Sequence, residues 1–477
     1  MPLRFDGSLG LPTETVMPVS LVVRVRDTKA EAKLSGQLGS ETLHGKLSIS
    51  GDNLDELLRR FDVGGGLPSV GKADFSLQAV VDAGGDVLRL ESLDGRISNS
   101  RATGIVTLAL GETPRGAVTL SFANLDMDEW LTGAPSPVGF TPWRQMLRAM
   151  PLTLDVSADV LTVRKSVLRQ ARIAAKIDNE VLQLDQVTAL LPGNSVVMGS
   201  GGADWATATP RFDLHFEASS DNLRAVFDWL GVAAAQVPPD RLRVLTASGH
   251  LAGTARELSL SDLQLRIDTS EISGAATLRF GDRLSVGINL ASPVLNLDSY
   301  WRRGAAAVDW TSLRGALAGF DANVRASIGL LTVADTPIRD LLIDGTLING
   351  EVNFRQALSS DLAGMALRLE GRIDGLARGE PELHGLRYSL GVIDPDRLAR
   401  LLDLALPVPA DRLGRVAASG RLAGDAHRLS FERQGEAAGA ALTLSGLVLD
   451  LGHAPRWTAK LSARHDSLIA LVRLLVP

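Results

Sequence analysis

The 477-residue chain contains no cysteine. Disulfides, iron–sulfur clusters and thiolate zinc sites are therefore excluded, in keeping with an oxidising compartment. Aromatic residues make up only 4% of the chain, while 45% is apolar and glycine occurs 47 times. That mixture suits many strands and tight turns rather than a few thick cores. Neither sign of charge dominates: 49 basic and 55 acidic residues leave a net charge of −6. No Lys/Arg run stands out, so no nucleic-acid partner is expected. No stretch approaches the ~18–20 uninterrupted apolar residues that a membrane-spanning helix needs. The opening MPLRFDGSLGLPTE lacks the basic-then-apolar order of a secretory signal.

What the chain does have is a repeat. In RFDLHFEASSDNLRAVFDWLG (211–231), Phe212, Leu214, Phe216 and Ala218 alternate with polar residues, the period of a strand with one apolar face. Leu223, Val226, Phe227 and Leu230 then follow at i, i+3, i+4 and i+7, the stripe of a short amphipathic helix. Related helices are expected at DNLDELLRRF (from Asp52), DRLARLLDLA (from Asp396) and DSLIALVRLL (from Asp466). Weaker ones are expected at LDMDEWL around Asp128 and LNLDSYW around Asp298. The aspartates are read as caps for the first free backbone N–H groups. Positions 52, 128, 221, 298, 396 and 466 are separated by 76, 93, 77, 98 and 70 residues, so a full period of 169 to 175 holds two β segments, each closed by a helix. Segments 88–110 and 258–280 also read alike, as do 161–184 and 331–354.

Strand alternation is clear in VTLSFAN (118–124), LTLDVSADV (152–160), RLSVGINLA (283–291) and MALRLEGRI (365–373). Turns are expected at Gly84-Gly85, Asp178-Asn179, Gly281-Asp282 and Asn349-Gly350, the last a favoured hairpin pair. In ALTLSGLVLDL the apolar phase shifts across Gly446, which predicts a bulge there. The expected organisation is a partial leading β segment (1–51) and repeat 1 (52–220: helix, about four strands, helix, about five strands). Repeat 2 (221–395) follows in the same order, and half repeat 3 (396–477) has a helix, about four strands and a terminal helix.

Such a sheet poses an energetic problem. Burying one Leu, Val, Ile or Phe is worth ~1.5–3 kcal/mol, and one ten-residue helix per segment cannot cover four or five strands. The sheet either closes on itself as a sandwich or barrel, or curls into a trough whose apolar floor serves acyl chains. The helix after every segment favours the trough. The fold class expected is therefore mainly β: an extended, curved, mostly antiparallel repeating β-groove with short amphipathic helices between β segments. Its lining would include Phe75, Leu77, Leu120, Phe122, Leu154, Val156, Leu214, Phe216, Val286, Ile288, Leu367 and Leu369.

The run from SISGDNLDELLRRF through LRLESLDGRISNSRATGIVTLAL to GAVTLSFANLDMDEWL, with its further copies at 217–301 and 390–475, resembles the AsmA family of bacterial envelope proteins. AsmA, TamB and YhdP are similar to bridge-like lipid transfer proteins built from repeating β-grooves. The resemblance implies a periplasmic protein tethered to the inner membrane, without catalysis. It would conduct phospholipid toward the outer membrane and support outer-membrane biogenesis. An inner-membrane anchor and outer-membrane assembly proteins would be its partners. Residues 1–51 start in mid-unit, so an N-terminal anchor is expected to lie upstream. The alternative is a periplasmic scaffold or chaperone-like factor that pairs its edge strands with client outer-membrane proteins or targets them to the membrane.

Catalytic and ligand motifs are weak. Gly66–Ala73 (GLPSVGKA) approaches a phosphate-binding loop, but Ala73 replaces the Mg²⁺-binding hydroxyl and Pro68 removes a backbone donor. Gly199–Gly202 is not followed by a helix and reads as a turn. The seven histidines are scattered without metal-ligand spacing, and His215 falls on the polar side of its strand. Asp126/Asp128 and Asp394/Asp396 read as helix caps rather than acid–base pairs. No cofactor, metal or catalytic residue is expected.

Overall fold

The computed structural model describes residues 3–11, 16–25, 29–54, 56–57, 73–130, 150–235, 237–300, 319–401, 415–437, 439–451 and 455–467. The chain is mainly β and divides into two compact units, Met1–Val232 and Ala233–Pro477. Among the described residues the first contains thirteen strands, β1 (Leu3–Leu9) to β13 (Arg211–Ser220), and the second thirteen more, β14 (Leu245–Thr254) to β26 (Arg456–His465). Within each unit every strand pairs with its neighbours in sequence. The strands are punctuated by helical turns. Four strands, β5 (Phe75–Gly84) to β8 (Arg115–Asp126), precede the one-turn helix Met127–Trp130. Five, β9 (Leu152–Val163) to β13, precede the helix Leu223–Leu230. Four, β14 to β17 (Leu284–Asn296), precede the 3₁₀ turn Leu297–Tyr300; five, β18 (Phe320–Val333) to β22 (Glu382–Val392), precede the helix Pro395–Leu401.

The helix Leu223–Leu230 buries Leu223 and ends at Gly231, whose φ of 75° supplies the left-handed closing residue. Its Trp229 Nε1 donates to the carbonyl of Val163 at 3.0 Å, which ties the helix to the β9–β10 hairpin (β10, Ser166–Asp178). Of the helices expected at Asp52 and Asp466, only Leu54, Glu56 and Leu57 fall among the described helical residues. The phosphate-loop-like stretch, Ala73 apart, also lies outside them.

Asp126 and Asp394 cap as expected, whereas Asp52, Asp128, Asp298 and Asp396 do not. Asn53 Oδ1 accepts the N–H of Glu56, Asp126 Oδ1 those of Asp128 and Glu129, Asn296 Oδ1 that of Ser299, and Asp394 Oδ1 that of Arg397. A cap must sit just outside the first turn and reach the N–H two or three residues on. Asp52 lies too early for that and Asp128, Asp298 and Asp396 too late.

The carboxylates of Asp128 and Asp298 are engaged elsewhere. Asp128 accepts the backbone N–H groups of Arg164 and Lys165, both at 2.7 Å. Asp298, 170 residues later, accepts those of Ala334 and Asp335 at 2.7 and 2.8 Å. All four acceptor-facing residues have φ between 50° and 60°, the left-handed pair of a tight hairpin turn without glycine. Each clamp stands at a change of strand direction. β8 pairs parallel with β9 and β17 parallel with β18, against the antiparallel rule elsewhere. A parallel neighbour cannot be reached by a hairpin and needs a crossover of a dozen or more residues. Residues 127–151 and 297–319 supply it.

Two further expectations are corrected. Gly199–Gly202 is part of the strand β12 (Ser195–Asp204), not a turn. There Gly199 lies opposite Phe216 and Gly201 opposite Leu214. Gly201 has φ of 145°, and an added Cβ would stand 2.1 Å from the carbonyl oxygen of Asp213. At Gly446 there is no bulge: β25 (Ala440–Leu449) pairs without register shift with both neighbours. A Cβ at Gly446 would meet the Phe431 ring at 2.8 Å, so close approach explains this glycine. Register shifts do fall at non-glycine residues with φ near 50°, among them Ser92 and Gln170 in the first unit and Asp262, 170 residues after Ser92, in the second.

Removing one carboxylate clamp orphans two backbone donors. Asp128→Ala and Asp298→Ala are each expected to cost about 1–3 kcal/mol in denaturant unfolding, with Asp→Asn intermediate. Unfolding curves that superimpose on the unmodified protein would show that the clamps carry no stability.

Candidate functional site

Residues directly opposite each other on neighbouring strands project to the same face. Followed strand by strand, the register aligns one apolar row across all thirteen strands of the first unit. It runs Leu9, Val19, Gly36, Gly45, Val81, Leu90, Val106, Val118, Leu154, Ala175, Leu184, Gly201 and Leu214. The second unit holds a row of the same kind: Gly253, Leu258, Leu278, Val286, Ala322, Leu347, Val352, Ile373, Leu383, Gly424, Leu429, Val448 and Trp457. Neither row contains a charged or hydrogen-bonding side chain, the Trp457 indole excepted. Beside the first lies a shorter row, Leu93, Gly104, Leu120, Val156, Ile173, Val187, Gly199 and Phe216.

All twelve residues singled out in the sequence lie on these apolar faces. Leu154, Leu214 and Val286 belong to the long rows, and Leu120, Val156 and Phe216 to the shorter one. Leu77 lies between Ile49 and Gly95, and Phe122 between Ala102 and Ala158. Phe75 is opposite Ile97, Ile288 opposite Val324, Leu367 opposite Leu390 and Leu369 opposite Ala357. Phe75 is buried and the other eleven remain half-buried. In a sandwich those side chains would be enclosed by the facing sheet; here they keep contact with solvent.

In the first unit this face deepens into a cavity of about 420 Å³. Its walls are Ile49, Phe75, Leu77, Leu93, Leu120 and Phe122 from the strands, joined by Leu54 and Leu57 from the helical turn after β4 (Thr42–Gly51). Four of these are sequence-predicted residues. Leu54 and Leu57 were legible as a helical stripe, whereas nothing in the local pattern placed that stripe beside Leu120 and Phe122. Leu93 was hidden for another reason: it shares a face with Leu90 only because the bulge at Ser92 inserts an extra residue.

The fold and this face define a strand-repeat protein with an open apolar surface on one side of each unit. The sequence matches no protein-family model and no curated protein. No helix among the described residues is long and apolar enough to cross a membrane.

The opposite face carries the charge. Arg101 holds Asp94 with two hydrogen bonds of 2.9 and 2.7 Å, and Arg172 holds Asp155 at 2.9 and 2.8 Å. These guanidiniums keep both carboxyls below their ordinary range. His215 is exposed on this side. Around Asp268 the balance is different. Burial pushes its carboxyl up, but the N–H groups of Arg243, Leu242 and Val244, at 2.9, 2.9 and 3.2 Å, outweigh that and hold it below its ordinary value of 3.8. A carboxyl depressed in the folded state stabilises above its unfolded pKa, and that contribution is lost as pH falls through the folded one. Asp268→Asn should therefore be less stable than the unmodified protein at neutral pH. The gap should close as pH drops below 3.8. Melting temperatures across that range check this, and a gap independent of pH would contradict it.

Proposed function

We propose that the chain binds acyl lipids along its apolar faces, replacing water around hydrocarbon with Leu, Val, Ile and Phe. The supporting observation is the unbroken thirteen-strand row in each unit, most of it half-buried and without a charged interruption. A contiguous exposed apolar surface of this length marks an interaction site on a protein that stays folded in water. Its partner must be apolar over many residues and needs no directional contact, which is the chemistry of an acyl chain. No catalytic group enters this reading.

The finer reading follows the family resemblance. On it the chain is an AsmA-like envelope protein, periplasmic and tethered to the inner membrane. It conducts phospholipid between inner and outer membrane along a repeating groove, and the short helices serve as seams between its units. The second reading, a scaffold that pairs with client β strands, draws on the open outer edges of β1 and β26, to which no described strand pairs.

Mass spectrometry of protein purified from cells under native conditions separates the two. Bound phospholipid is expected; its absence, together with a co-purifying outer-membrane protein, would favour the scaffold. Phe216→Asp places a charge in the shorter row and is expected to reduce the bound lipid several-fold. Unchanged lipid in a folded Phe216→Asp variant would remove this face from the binding surface.

A further inference from the structure

The apolar row of the second unit ends on an unusual strand. Trp457, its last residue, is 74% exposed, and Leu461 on the same face is 65% exposed. From Arg456 to Arg464 every residue of β26 is exposed. The other face of the strand carries Arg456, Lys460 and Arg464 at every fourth position. Arg456 pairs with Asp450 at 2.8 Å. Lys460 and Arg464 lie opposite Ser445 and Ala441 and have no acidic partner among the described residues.

We propose that β26 docks the second unit on an anionic bilayer surface, bringing the end of its apolar row to the lipid. The inference rests on the acyl-lipid reading and adds the partner at this end. An indole and a leucine on one side with cations on the other is the pattern of an interfacial segment. The apolar side chains enter the headgroup boundary and the cations meet anionic headgroups. A second copy fits this edge poorly. Pairing two β26 strands would gather Arg456, Lys460 and Arg464 of both against one another, and edge cations of this kind oppose strand addition. A strand that instead meets a lipid surface uses the same charges as attraction.

The test is flotation of the full chain with vesicles of phosphatidylcholine alone or of phosphatidylcholine mixed with phosphatidylglycerol. Binding is expected to the mixed vesicles only and to weaken as salt rises. The double variant Lys460→Glu/Arg464→Glu should bind them at least about tenfold more weakly. Trp457→Ser should also weaken binding, and lipid carried by the purified Lys460→Glu/Arg464→Glu variant should remain at the level of the unmodified protein. If the charge-reversed variant fails to fold, Lys460→Gln/Arg464→Gln gives the same reading. Equal binding to both vesicle types overturns the proposal, as does full binding by the variants. So does a dimer that Trp457→Ser dissolves, since the strand would then be a contact between copies. Vesicle binding by a protein that carries no lipid would uphold the docking strand while refuting the acyl-lipid reading.

Discussion

Side chains on a strand alternate with a period of two, so a slip of one residue turns a whole apolar set toward water. In this protein the constraint must be met twelve times in succession within each unit, because each row crosses thirteen strands. One misregistered hairpin would put charged residues into the row and break the continuity that sets this face apart from scattered surface leucines. The bulges at Ser92, Gln170 and Asp262 belong to this constraint. Each adds a residue where the partner strand has none, and so returns an out-of-step side chain to its row.

The carboxylate clamps address the remaining weak point. Hairpins carry register from one antiparallel strand to the next, but a parallel neighbour arrives after a long crossover and has no turn to set its position. At both such joints an aspartate just after the outgoing strand grips the far hairpin of the incoming one, Asp128 on Arg164 and Lys165, Asp298 on Ala334 and Asp335. The apolar row then passes through the parallel joint without a step: Val118 meets Leu154 and Val286 meets Ala322. Separation of charge between faces follows from the same alternation. Arg101–Asp94 and Arg172–Asp155 neutralise one another on the wet side, away from the apolar row of the first unit.

A groove that works through a continuous apolar surface differs from an enzyme site in how it reads in sequence. There is no short motif to find, since Leu, Val, Ile and Phe substitute for one another along the row. Binding is spread over many weak contacts, and the glycines at Gly104, Gly199 and Gly201 belong to the surface as much as the apolar side chains opposite them. The lipid reading therefore stands on alignment across strands rather than on any single residue.

Much of that alignment was readable before any coordinates. The alternation in 118–124, 152–160 and 283–291 assigned each strand its apolar side, and the grouping of four and five strands between helical turns followed from the spacing of the Asp-led segments. These are local properties, set by side-chain periodicity and turn chemistry within a few residues. The parallel joints, the bulges and the cavity joining Leu54 and Leu57 to Leu120 and Phe122 were not readable. Each depends on which distant strand lies alongside, and a parallel pairing or a one-residue bulge leaves almost no mark on the local pattern. The aspartates illustrate the division. Their spacing revealed the repeat, but whether Asp128 caps its own helix or holds a hairpin 36 residues away is decided by the strand the crossover delivers beside it.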